Sequence, residues 1–80
     1  MNQKIKTMIR NLFIDYGYTI ELESLITEET EIFHTFKIYL DSGNGLGRFK
    51  IPVCNNCIED VDFVLYFQEQ IQEKYPELFK

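Results

Sequence analysis

Cys54-Asn55-Asn56-Cys57 and the single histidine, His34, are the residues of this 80-residue chain with the clearest chemical potential. A thiol at a helix N-terminus can have a lowered pKa, because the helix dipole favours thiolate. A Cys-x-x-Cys pair there could support thiol redox chemistry. The pair follows an alternating segment of a β-meander, however, and no Trp or Pro flanks it as in thioredoxin-like enzymes. As a zinc site it is half a site, since tetrahedral zinc needs four ligands. His34 and a carboxylate could complete it, yet nothing in the spacing brings them together. The cysteines read as two small, partly buried residues capping a helix.

A Cys–His or Ser–His–Asp apparatus would have to use His34. It falls within an alternating strand, on the face of Phe36, Ile38 and Leu40, and reads as structural. The stretch Gly43-Asn44-Gly45-Leu46-Gly47 lacks the Gly-Lys-Ser/Thr ending of a phosphate loop and lies in a hairpin. It is a turn. No enzyme is expected, and no cofactor or metal.

The elements behind these residues follow from hydrophobic spacing. Ile5, Met8, Ile9, Leu12, Phe13 and Tyr16 form one helical face and predict a first helix over 3–16, ended by Gly17. Tyr18, Ile20 and Leu22 alternate with polar residues as a first strand, and Leu25 and Ile26 extend it with a change of face. The polar run Thr27-Glu28-Glu29-Thr30 predicts a turn. A second strand spans Glu31 to Asp41, an Asn-Gly turn follows, and Pro52 makes the third strand an edge. Phe36, Ile38, Leu40, Phe49, Ile51 and Val53 share the buried face of that hairpin. Asn56 with Glu59 resembles an N-cap and capping box opening a helix to Tyr75, with Ile58, Val61, Val64, Leu65 and Ile71 as its apolar positions, widened by Phe63 and Phe67. Leu78 and Phe79 are expected to fold back onto the core.

The expected architecture is one α+β domain over residues 1–80, in the order α-β-β-β-α. Its three-stranded antiparallel meander has strand order 1-2-3, and two helices pack on one face.

Charge narrows the function classes. A net charge of −5 disfavours direct nucleic-acid binding driven by phosphate neutralisation. It suits a basic protein partner instead. Residues 15–31 carry Asp15, Glu21, Glu23, Glu28, Glu29 and Glu31 with no base, while Lys37, Arg48 and Lys50 lie on the hairpin. Acidic, mixed and basic strands side by side predict cross-strand ion pairs. Phe33 and Tyr39 on the outer face offer aromatic anchors for a partner. No unbroken apolar run marks a signal peptide or a membrane span, and two cysteines are too few for a disulfide framework. A cytoplasmic protein, monomeric or weakly dimeric, is expected.

The α-β-β-β-α order resembles the double-stranded-RNA-binding domain. That family grips phosphates with lysines at its second helix, where this chain has Glu59, Asp60 and Asp62. The passage from Met8-Ile9-Arg10 through Tyr18-Thr19-Ile20-Glu21-Leu22, followed by Phe36-Lys37-Ile38-Tyr39-Leu40 and a Gly/Asn turn, resembles small acidic type II-A anti-CRISPR proteins of phages. The likeness extends in pattern over residues 5–72. It implies an inhibitor that occupies the DNA-binding cleft of a CRISPR effector nuclease with carboxylates in place of phosphates. The corresponding residues are Glu23, Glu28, Glu29, Glu31 and Asp41, with Tyr39 beside them. The chain departs from that pattern in being less acidic, in its basic third strand and in lacking a clear third helix. The alternatives are a thiol redox or metal-binding protein using Cys54 and Cys57, or a weak nucleic-acid binder through Lys37, Arg48 and Lys50.

Overall fold

The computed structural model describes residues 3–79. Helix α1 (Gln3–Arg10) leads into β1 (Tyr18–Glu28), β2 (Glu31–Leu40) and β3 (Gly45–Pro52), and α2 (Asp60–Lys74) follows. The strands are antiparallel in the order β1-β2-β3, so β2 is central and β3 is an edge, as Pro52 requires.

The inner face of the sheet carries Ile20, Phe36, Ile38 and Ile51, all essentially without solvent contact. Ile9 and Phe13 cover it from the N-terminal segment, and Phe63, Val64, Phe67 and Ile71 cover it from α2. Phe36 lies at the centre, with its ring 5.0 Å from Phe67 and 5.9 Å from Phe49. The alternation read from the hairpin therefore places its residues on the correct face. Leu40, Phe49 and Val53 at the margins are half-buried.

The first helix is shorter than its apolar stripe. It ends at Arg10, and a single 3₁₀ turn, Ile14–Tyr16, completes the approach to β1. The tighter winding turns Phe13 into the core while the chain reverses at Gly17, whose φ of +83° is left-handed. The C-terminal turn Pro76–Phe79 returns to the same place. The Phe79 ring sits 4.7 Å from Phe13, and the Tyr18 hydroxyl donates to Leu78 O at 2.6 Å.

The second helix starts later than its sequence suggests. Its N-cap is Glu59, not Asn56, and the Glu59 N–H donates to the Asp62 carboxylate at 3.1 Å. Cys54 and Cys57 are joined by a disulfide that holds residues 54–57 in a tight loop outside the helix. They do not cap it. The inward stripe is Phe63, Phe67 and Ile71 with Val64, whereas Ile58, Val61 and Leu65 are exposed. Asp60 and Asp62 fill the first turn, where negative charge suits the dipole.

Register adjusts at two points. Ile38 pairs with Gly47 and Tyr39 with Gly45, leaving Leu46 unpaired; the left-handed residues are Gly43 and Gly47, not the Asn44-Gly45 pair. In β1 the register shifts between Leu22 and Leu25, which is the change of face anticipated there. Thr35 pins this bulge: its Oγ1 donates to Ser24 O at 3.1 Å and accepts from Ser24 N–H at 3.3 Å. Thr35 is itself buried. Thr35→Val keeps the shape and removes both bonds; Ser24 is exposed, so water replaces its partner and the cost is about 0.5–1.5 kcal/mol. Urea denaturation measures the loss, and Thr35→Ser should recover most of it.

Candidate functional site

The tip of the β1–β2 hairpin gathers three of the acidic residues singled out above. Glu28 pairs with Glu31 across the end of the ladder, so only Glu29 and Thr30 remain to make the turn. Glu29 has φ +57°, the one left-handed non-glycine residue among those described. A glutamate gains nothing from that conformation, in which an L side chain costs about 1–2 kcal/mol. All four residues of the tip are exposed.

Carboxylates facing each other across a strand pair repel. Lys50 of β3 answers part of that repulsion by pairing with Glu28, and it also lies 4.7 Å above the Phe33 ring. Glu29 and Glu31 have no ion pair among the described residues. A groove beside the tip is lined by Glu31, Ile32, Pro52, Val53 and Asn55, linking the tip to the disulfide loop. Tyr66 anchors this side by donating to Pro52 O at 2.7 Å. Burial, and then the charge of Glu31, push the Tyr66 phenol above its ordinary value, so it keeps its proton.

The other carboxylates lie elsewhere. Glu23 is engaged on the outer face: its Oε1 is 2.7 Å from Arg48 Nε, and its Oε2 is 3.5 Å from Lys37 Nζ. The predicted cross-strand ion pairs are thus present, and they occupy Glu23 and Glu28. Tyr39 and Asp41 sit at and just past the opposite end of β2, about 26 and 33 Å from Glu31 at the rise of an extended strand. There the Asp41 N–H donates to Gly17 O, and the Tyr39 ring lies over Gly45. One continuous site does not include both ends. Phe33, Lys50, Tyr66 and Asn55 belong with the tip; strand register groups the first two, and packing of α2 and the disulfide loop brings the others.

His34 is structural in its surroundings. It pairs with Leu25 across the sheet, and its ring is 5.0 Å from Phe63. Desolvation lowers its pKa from 6.5. The folded state then binds fewer protons than the unfolded one. Stability should be complete above about pH 6.5 and fall as pH drops towards the lowered folded value. His34→Gln should flatten that part of a thermal-unfolding profile against pH.

Cys54 and Cys57 are half-buried and pack against the core. Their disulfide closes residues 54–57 into a local clip. Among the described residues, no group of three His, Cys, Asp or Glu side chains is placed to hold a metal ion. Among the described residues no helix is long and apolar enough to cross a membrane. Comparison with family models, with curated proteins and with solved structures finds no match for this chain.

Proposed function

We propose that this protein is a small acidic interaction module that docks the tip of its first hairpin on a basic, nucleic-acid-binding protein. Glu29 and Glu31 present carboxylates where phosphates would sit, and Thr30 and Phe33 flank them. The observation that carries the reading is Glu29 itself. It is held in a left-handed conformation that asparagine or glycine would adopt more readily, at an exposed tip, between two other glutamates. Backbone strain of this kind concentrates at functional positions. The resemblance to type II-A anti-CRISPR proteins names one class of target, a CRISPR effector nuclease, met in the cytoplasm.

The test is a DNA-binding assay with a guide-loaded type II-A effector nuclease, to which the protein is added. Loss of DNA binding near stoichiometric addition, relieved by salt, is the expected result. Unchanged DNA binding at low salt rejects that nuclease class as the target.

A further inference from the structure

Helix α2 has two apolar sides, and the fold uses only one of them. Phe63, Val64, Phe67 and Ile71 form the inward stripe. On the outer side, Val61 and Leu65 are one turn apart, and each is more than half exposed. Gln68 and Gln72 continue the same stripe, at i+7 and i+11 from Val61. The solvent-facing side of a surface helix ordinarily carries polar residues along this line.

Ile58 adds to the pair. It stands immediately ahead of the N-cap, Glu59, where an apolar residue commonly folds back on the first turn. Here it is 90% exposed instead, the most open large apolar side chain among the described residues. None of Ile58, Val61 and Leu65 belongs to the core cluster. Grouped apolar side chains with a polar rim mark interaction sites.

The rim is acidic. Asp62, Glu69 and Glu73 each follow a residue of the stripe by one position, so they line one margin of it along the helix. All three are exposed. Glu69 and Glu73 have no ion pair among the described residues, and Asp62 is held by the Glu59 N–H alone. Lys74, the one cation of α2, falls on the far side of the helix from the stripe by the same period. Of the cations on α1, Lys6 and Arg10 line a cleft towards β1, which leaves Lys4 against three carboxylates.

We propose that this face of α2 receives an amphipathic helix of a partner protein, apolar along one stripe and basic along its flank. Its apolar side chains cover Ile58, Val61 and Leu65, and its lysines or arginines meet Asp62, Glu69 and Glu73. A stripe at i, i+4, i+7 and i+11 repeats with the ridges and grooves of another helix, which neither a strand nor a flat surface matches. The same carboxylates oppose other occupants. An antiparallel second copy would set the acidic margin beside its own equivalent, and the net charge of −5 adds to that repulsion. An anionic membrane or a nucleic acid meets the same obstacle. The proposal does not rest on the function of the hairpin tip.

The experiment uses the full chain and a fluorescein-labelled helical peptide of leucine and lysine, its leucines spaced to share one face. Anisotropy should report saturable binding that weakens as salt rises. Val61→Gln with Leu65→Gln should raise Kd by about 10-fold, since two half-exposed aliphatic side chains lose their cover. Glu69→Gln with Glu73→Gln should raise it by about 3-fold and flatten the salt dependence. All four positions lie outside the core cluster, so the fold should persist, which the amide spectrum checks. Amide shifts should map to residues 58–73 and spare the tip at residues 28–31. A peptide of the same composition with its leucines scattered round the helix, or one with glutamate for lysine, should bind about 10-fold more weakly. Equal binding of either probe, an unchanged Kd in the Val61→Gln/Leu65→Gln variant, or shifts centred on the tip overturns the proposal. So does concentration-dependent dimerisation, or binding to anionic vesicles, that the same variant abolishes.

Discussion

Replacing Phe36 with alanine is expected to destabilise the protein by about 3–5 kcal/mol, the range for truncating a buried phenylalanine. Phe36 has no solvent exposure and lies on the central strand, with Phe67 of α2 and Phe49 of β3 around its ring. Its loss opens a cavity between both layers, and neighbours anchored on separate elements cannot collapse into it. An 80-residue domain has roughly 4–12 kcal/mol to lose. The midpoint of thermal unfolding should therefore fall by about 15–30 °C, or the fold should fail outright. Leu65→Ala is the control. Leu65 is 54% exposed on the outer side of α2, so its removal should cost less than about 0.5 kcal/mol. A large loss at Leu65, or a small one at Phe36, would mean that α2 is turned differently over the sheet.

The second large effect is on binding, and it should run opposite to stability. Glu29→Asn relieves a left-handed glutamate and should stabilise the fold by up to about 1 kcal/mol. It also removes one of the two unpaired carboxylates of the tip. If the tip carries the interaction, affinity for the basic partner should drop by about 10-fold, equivalent to ~1.4 kcal/mol. Glu23→Gln should behave in the other sense. It breaks contacts with Arg48 and Lys37 on the outer face and leaves the tip unaltered. A variant more stable yet weaker in binding separates function from folding, which charge removal at Glu23 cannot do.

Particular residues explain how far the sequence leads. Alternation at Phe36, Ile38 and Ile51 identifies the buried face, because one side of this meander is covered by helices and the other is wet. Gly17 and Pro52 mark a reversal and an edge through backbone chemistry that other residues do not share. Strand order follows from short connections. Helix boundaries were less legible. Asn56 and Glu59 have the spacing of a capping box, but the disulfide closes residues 54–57 into a loop and passes the cap to Glu59 and Asp62. Val61 and Leu65 extend an apolar pattern that tertiary packing leaves outside.

The candidate site divides in the same way. Glu28, Glu29 and Glu31 are near neighbours in sequence and remain so in space. The role of Glu23 depends on Arg48, 25 residues away, and becomes visible only through the register of three strands. The distance of Asp41 and Tyr39 from the tip follows from the same register. Nor does local sequence reveal that Thr35 holds the bulge, or that the Tyr66 and Tyr75 hydroxyls close the β3 edge of the sheet.

The central claim is that the hairpin tip, through its free carboxylates, holds a basic partner. The most direct measurement is side-by-side affinity capture from a bacterial lysate, using the wild-type protein and a Glu29→Lys/Glu31→Lys variant at low and high salt, with bound proteins quantified by mass spectrometry. Basic nucleic-acid-binding proteins should be retained by the wild type at low salt, released at high salt and absent from the variant. Capture of the same proteins by both forms, or of none by either, would contradict it.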